Sequence, residues 1–310
     1  MIIRKSESKY RRGLFAALLA MSAWGILPLY WNLLDDIPYN IITAYRVFTM
    51  GLIVCSIVPL GYPMKDIVAP LKDRKQLALM VAASILITFN WSTYIWAVNN
   101  GQILQTSLGY YIEPLFVCAL GSLIFKEVFH IHKILAICFA AAGVLILLVY
   151  FHELPKVALI LPITFATYAA LKKKVKASAV ISLYYENIFL MPIVIAYIVH
   201  RELAGNGALA AVDLKIYILL LFSGFVTFVP LALFAVGAKN LPLVTLGITG
   251  YLSPTITFLI GILVLHENLN KVLLIAFLVI WVGLIIFTRG EILEHRGKHP
   301  VCRWVDREGL

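Results

Sequence analysis

The sequence predicts an all-α integral membrane protein of ten transmembrane helices, arranged as two inverted five-helix repeats. The first observation is composition. Of 310 residues, 62% are hydrophobic and 14% charged, against about 25% charged in soluble domains. A soluble fold has nowhere to bury that much apolar surface, whereas a bilayer takes it up at about 20 apolar residues per span. Lipid admits only helices or closed barrels, and these apolar runs are long and continuous rather than alternating, which selects helices. The second observation is an internal repeat. Ser107 to Glu127 returns 140 positions later as Gly247 to Glu267, with Tyr111 on Tyr251, Pro114 on Pro254, Gly121 on Gly261 and Glu127 on Glu267. The register runs without a gap from Asn100 on Asn240 to Gly143 on Gly283. Self-similarity at one offset marks a duplicated unit. The third is charge placement. Of the 26 Lys and Arg, all but Arg46, Lys156, Arg201, Lys215 and Lys271 fall on the side of the N-terminus. The positive-inside bias then places both termini in the cytoplasm.

The elements follow in order. A basic N-tail, residues 1–12, carries Arg4, Lys5, Lys9, Arg11 and Arg12. Its rival reading, a cleaved or twin-arginine signal, conflicts with the long run behind it, which holds Trp24, Pro28, Tyr30 and Trp31. That run, Gly13 to Leu33, is the first span. Asp35-Asp36-Ile37-Pro38 turns into the second, Asn40 to Leu60, and a basic loop with Lys65, Lys72, Arg74 and Lys75 follows. The third span is Gln76 to Val98, closed by the uncharged turn Asn99 to Gln102. The fourth is Leu104 to Phe125 and the fifth Ile134 to Phe151. This first repeat, 13–151, joins the second, 152–288, through His152 to Lys156. The sixth span is Val157 to Leu171, ended by Lys172-Lys173-Lys174. The seventh is Ala179 to Val199, and a loop from His200 to Lys215 follows. The eighth is Ile216 to Ala238, the ninth Leu243 to Leu265 and the tenth Val272 to Thr288. The C-tail, 289–310, is polar and expected to be poorly ordered. Five spans per copy is odd, so the second copy enters the membrane upside down. Inverted repeats mark secondary transporters, with the site at the repeat interface near the midplane.

Several strings resemble the drug/metabolite transporter superfamily, and within it the EamA-type permeases of the RarD branch. They are Trp24-Gly25-Ile26-Leu27-Pro28-Leu29-Tyr30-Trp31; Asn90-Trp91 with Tyr94 to Asn99; Ser107-Leu108-Gly109-Tyr110 through Pro114-Leu115; and Thr227, Pro230-Leu231, Phe234 and Leu241-Pro242. The resemblance covers about Gly13 to Thr288. It implies ten helices in inverted repeats and transport of a small metabolite or drug, with export as the direction. It also implies Asn before the proline of the fourth span, where this chain has Glu113.

Charges inside a span cost roughly 2.5–3.5 kcal/mol on insertion scales, so each is a functional candidate. Arg46 sits about 9 Å into the second span and Glu113 about 13 Å into the fourth, close enough for the guanidinium to reach the carboxylate. Glu186, about 10 Å from the cytoplasmic end of the seventh, needs another donor such as Tyr168 or water. Arg46 is expected to hold an anionic or carbonyl group of the solute, and Glu113 or Glu186 to bind a proton or cation. The plainer reading is an Arg46–Glu113 pair that only locks two helices. Asn90, Trp91, Tyr94, Tyr111, Tyr168 and Tyr251 are candidate lining residues. Trp31, Trp96, Tyr110 and Tyr184, near span ends, read as interface anchors. Pro114 and Pro254, repeat equivalents, read as gating hinges. Gly109, Gly121, Gly143, Gly261 and Gly283 read as close helix contacts.

The excluded classes are informative. The net charge of +10 orients the protein rather than binding nucleic acid. Cys55, Cys118, Cys138 and Cys302 show no pairing or metal spacing and read as free thiols. No phosphate loop is present, so ATP drive and cofactors are not expected; the expected partners are a small organic solute, membrane lipid and a proton or solute gradient. His130-Ile131-His132 beside Glu127 reads as a solvated turn rather than a metal site, and Glu127 and Glu267 as caps or pairs at helix ends. A membrane-embedded enzyme acting on lipids would need a nucleophile–base or metal constellation, and a channel a continuous polar stripe; the chain has isolated polar residues instead.

Overall fold

The structure is a computed structural model that describes residues 2–34, 37–100, 103–127, 130–151, 156–209, 213–264 and 271–295. Glu267, Cys302, the joint at 152–155 and the tail beyond 295 lie outside the described residues. Every regular element among those described is helical. The first helix, α1, is Ile2–Trp31, followed by a 3-10 turn, Asn32–Leu34. It begins well before the apolar run. The tail has no Gly or Pro to stop it, and Arg11 pairs with Glu7 one turn away at 2.7 Å, a spacing that supports a helix. The second, α2, is Tyr39–Gly61. The basic loop is not irregular: it folds as a short amphipathic helix, α3, Met64–Lys72, with Asp66 in its first turn and Lys72 in its last. Both charges favour the helix dipole. Then come α4, Arg74–Asn99; α5, Ile103–Phe125; α6, Ile131–Phe151; and α7, Lys156–Lys174. Asp73 caps α4 by accepting from Lys75 and Gln76 backbone N–H at 3.0 and 3.2 Å. Lys126, at φ +50°, takes the left-handed conformation that stops α5.

The seventh predicted span is broken. It forms α8, Ala179–Ile188, and α9, Met191–Leu203, bent by 50°. Pro192 at the start of α9 cannot donate back into the preceding turn, so the ladder is cut there. Next is α10, Leu214–Asn240. The ninth predicted span is α11, Leu243–Gly250, and α12, Leu252–Leu263, parted at Tyr251. The last, α13, is Lys271–His295 and runs into the predicted tail, where Glu291 is buried. Eight of these spans are long and apolar enough to cross a membrane, and the α8–α9 pair makes nine. The remaining one is α7, whose last turn holds Lys172, Lys173 and Lys174. It packs against α4 and α5.

The repeat is visible in the helix starts. Tyr39 and Ala179, Arg74 and Leu214, Ile103 and Leu243, and Ile131 and Lys271 each open equivalent helices 140 positions apart. Equivalents meet each other: α2 packs on α8 and α9, α5 on α11, and α6 on α13. The opening helix of each half crosses over, α7 onto α4 and α5, and α1 onto α10 and α12. The equivalent glycines Gly143 and Gly283 allow α6 and α13 to touch. A Cβ would meet Ile280 at 2.6 Å in the first case, and the Ala136 carbonyl and Phe139 at 2.9 Å in the second. Tyr10 near the start of α1 donates to Glu291 near the end of α13, so the start of α1 and the close of α13 share one end of the bundle. This terminal end also holds the close of α7, since Lys173 donates to the carbonyl of Leu241, against which Gly13 of α1 packs, and the start of α4, since Gln76 accepts from the Lys176 backbone N–H at 2.7 Å. Here α1 begins while its equivalent α7 ends, which is the inversion.

Candidate functional site

Arg46 lies seven residues into α2, with helices of both halves around it. Its guanidinium carbon sits 4.5 Å from the ring centroid of Trp31 at the end of α1, and 5.0 Å from that of Trp91 on α4. Nε donates to Thr227 Oγ1 on α10 at 3.1 Å. Thr227 in turn donates to the Ser223 carbonyl at 2.8 Å, which fixes its acceptor lobe. Indole faces attract a cation through their quadrupole, by roughly 2 kcal/mol or more when desolvated. They supply no counter-charge. Among the described residues no carboxylate pairs with Arg46, and no acceptor meets its two terminal nitrogens. Among the described residues the outer edge of the guanidinium is therefore unspent.

Tyr30, Tyr94 and Tyr110 lie within electrostatic range of Arg46. Tyr94 and Tyr110 rings are 5.7 Å apart, joining α4 to α5. One turn beyond Tyr110 on α5 is Glu113, within electrostatic range of the Tyr110 hydroxyl. The Arg46–Glu113 pair expected from depth alone is not formed: Arg46 spends its Nε on Thr227. Glu113 has no hydrogen-bond partner among the described residues, and its carboxylate is not occluded. Trp31 and Tyr110, read from sequence as interface anchors, belong to this cluster. Their position near span ends hid them, and the i, i+3 spacing of Tyr110 and Glu113 is the signal that could have found Tyr110.

Other candidates point elsewhere. Asn90 is buried, and its amide donates to the Leu161 carbonyl and Thr164 Oγ1 of α7, both at 2.8 Å. It pins α4 to α7 and thereby positions Trp91. Tyr111 faces away from Glu113, its ring 5.4 Å from Phe277 on α13. Tyr251 is 1% exposed and packs with Ala140 and Ile280. The hinge candidates differ in form: α5 continues through Pro114, while Pro254 follows the break at Tyr251.

Toward the terminal end, Trp24, Phe165, Phe234 and Tyr168 form an aromatic layer, with Phe165–Phe234 centroids 5.2 Å apart and Trp24–Phe234 5.4 Å. Beneath it lies a second polar cluster. Glu186 on α8 accepts from Tyr168 at 3.2 Å, Ser182 at 2.6 Å and Lys172 Nζ at 2.5 Å. Tyr168 is thus the donor expected for Glu186. Lys172, with an exposure of 0%, was read as part of a cytoplasmic basic loop. Its spacing of four from Tyr168 on α7, matching the spacing of Ser182 and Glu186 on α8, was the available signal. Beside this cluster Glu127 accepts from the Leu243 and Val244 backbone N–H groups at 2.7 and 2.9 Å, capping α11 of the other half. Lys173 donates to the Leu241 carbonyl and lies 3.5 Å from Glu127. The two halves are therefore bound by polar contacts at the terminal end. His132 lies 3.4 Å from Glu291.

Comparison with known proteins agrees with this picture. The EamA-like transporter family matches the chain twice, over residues 11–149 and 156–289. A Bacillus subtilis protein named Uncharacterized transporter YojE is 37% identical over 298 residues, covering 94% of this chain and 98% of its own. Protein RarD of Escherichia coli is 32% identical over 289 residues, covering 92% and 97%. One protein of known crystal structure superposes with a TM-score of 0.68 over 89% of this chain and 97% of that one; at 14% identity the likeness is of fold alone. With eight to nine helices among the described residues long and apolar enough to cross a membrane, and the same family matched in each half, this chain belongs to the EamA-like transporter family.

Proposed function

We propose that the protein is a secondary active transporter that moves a small organic solute across the cytoplasmic membrane by alternating access. The site lies between the two repeats and is built from Arg46, Trp31, Trp91, Tyr94, Tyr110 and Glu113. The observation that carries the reading is Arg46: a cation inside a span, wrapped by indoles from two helices, with its terminal nitrogens unspent. Intramembrane charges that face a cavity mark solute or ion pathways. Both termini lie in the cytoplasm, from the placement of Lys and Arg, and the direction is export. A proton or solute gradient drives the cycle, with Glu113 as the coupling group. Pro114 and Pro254 act as hinges, and the Lys172–Glu186 cluster with the aromatic layer closes the cytoplasmic side.

Proteoliposome flux with a solute panel, with and without a pH gradient, tests this. Arg46→Ala is expected to abolish saturable flux while the protein elutes as the folded species; wild-type flux in that variant would remove Arg46 from the pathway. Glu113→Gln is expected to flatten the pH dependence of flux, and an unchanged profile would take Glu113 out of coupling. Flux that never saturates and shows no counterflow would replace a transporter with a channel.

A further inference from the structure

The short helix α3 lies outside the proposed solute path. One side of it is packed. Ile67 and Pro70 are buried, and Ile67 joins a cluster with Val58, Met80, Val175, Ile181 and Tyr185. The Tyr185 hydroxyl on α8 donates to the Ile67 carbonyl at 2.7 Å. A helix of the first half is therefore strapped to α8 and to the turn after α7, both of the second half. Two stripes of α3 stay open. Met64 and Leu71, seven positions apart on one face, are 66% and 51% exposed. Leu60, at the close of α2 just before them, is 90% exposed. Lys65 and Lys72, at the same spacing, form the next stripe round the helix, and both are exposed. Lys176, also exposed, joins them from the second half. Its backbone N–H donates to Gln76 at the start of α4 at 2.7 Å, and its neighbour Val175 packs with Ile67. Lys65, Lys72 and Lys176 have no carboxylate partner among the described residues. Asp73, between α3 and α4, spends its carboxylate on capping α4. Lys174, by contrast, is turned to the Phe125 ring, 5.6 Å from its centroid.

An apolar stripe beside a basic one, on a helix at the end of a membrane bundle, is the pattern of an interfacial helix. We propose that α3 and the Lys176 turn form a docking surface for an anionic phospholipid. Its phosphate is held by Lys65, Lys72 and Lys176, and its acyl chains run along Leu60, Met64 and Leu71. Lysine stems suit this role, since they follow apolar surface while the ammonium groups stop at the phosphates. Charge selects the headgroup: a zwitterionic lipid brings its own cation, and an anionic one needs those of the protein. The three lysines come from both halves, and α3 is strapped to α8 beside Glu186. The bound lipid therefore clamps the two halves together at the terminal end.

The test uses the full chain in lipid nanodiscs and needs no flux, so its outcome is separate from that of the transport reading. In a background lacking native cysteines, Leu71→Cys carries a bimane label. The quenchers are brominated phosphatidylglycerol and brominated phosphatidylcholine, each diluted into plain phosphatidylcholine. Each Lys near an anionic surface is worth about fivefold in affinity. The expected result is lipid-like emission of the label and a preference for phosphatidylglycerol of roughly tenfold or more. Lys65→Gln, Lys72→Gln and Lys176→Gln together are expected to bring that preference close to unity. The charge-matched set Lys9→Gln, Arg11→Gln and Arg12→Gln, on exposed positions of α1, is expected to leave it intact. Phosphatidylglycerol is also expected to raise the melting temperature of the wild-type protein and not that of the lysine triple variant. Water-like emission of the label, equal quenching by the two lipids, or a wild-type melting temperature indifferent to phosphatidylglycerol would each overturn the assignment without recourse to the lysine variants. An equal loss of preference in both triple variants would reduce the effect to net charge and overturn it too. Relief of phosphatidylglycerol quenching by inorganic phosphate would make this a soluble-anion site instead.

Discussion

Lys172 and Arg46 show two ways of keeping a cation inside a span. Lys172 Nζ is fully buried and spends its donors on Glu186 and Ser182. Arg46 is half-buried and spends one donor on Thr227. Removing one partner of a buried pair leaves an uncompensated charge and costs about 3–5 kcal/mol. Lys172→Met is therefore expected to lower thermal stability in detergent sharply, and adding Glu186→Gln to recover much of the loss. A double variant no more stable than Lys172→Met alone would mean that the pair is not the source of the loss. Arg46→Ala, in contrast, strands no partner charge and is expected to cost less stability than Lys172→Met, the loss being its two indole contacts and the Thr227 bond. Sequence flagged Arg46, Glu113 and Glu186, because the cost of a charge in lipid is a property of position along the chain. It missed Lys172, because a lysine at the end of an apolar run is indistinguishable in one dimension from a lysine in solvent.

At the scale of elements, the repeat equivalence has chemical content. Arg46 and Glu186 occupy equivalent positions of α2 and α8, each seven residues from a helix start. One faces the aromatic site and the other the closed polar cluster, so the two halves carry opposite charges at corresponding places. The contact between α5 and α11 depends on close approach. A Cβ on Gly247 would meet Cys118 Sγ at 2.7 Å and the Pro114 carbonyl at 2.8 Å. Backbone cannot retreat as a flexible side chain can, so Gly247→Ala is expected to destabilise by about 1–3 kcal/mol. Gly61→Ala is the control, with open space around its Cβ. Matching melting temperatures for the two variants would show that α5 and α11 have slack. The helix inventory was largely legible from apolar run length. A proline inside a span bends its helix, so Pro192 and Pro254 marked where the α8–α9 bend and the parting near Tyr251 fall. Helix α3 was not legible, because it depends on a surface for Ile67 and Pro70 to cover.

For the whole molecule, the inverted arrangement places particular loops on common sides. In a background lacking native cysteines, single Cys at Lys72 and at Lys174, both exposed, are expected to label from the same face of the membrane, and one at Lys215 from the opposite face. Lys72 and Lys174 on different faces would dismantle the ten-span threading. Lys172 is unsuitable for this test because it is fully buried.

Sequence by itself determined the medium, the spans, the duplicated unit, the family and the residues too costly to be incidental. These are properties of run length, composition and offset, which add up along one dimension. Tertiary structure alone decided the partners: Thr227, Trp31 and Trp91 for Arg46, Lys172 for Glu186, Phe277 for Tyr111, and the buried packing of Tyr251. The reason is rotational. Each residue turns a helix by about 100°, and a soluble helix reveals its inner face by amphipathic periodicity. Spans that are apolar all round carry no such mark, so the direction each side chain faces is settled only when the helices pack.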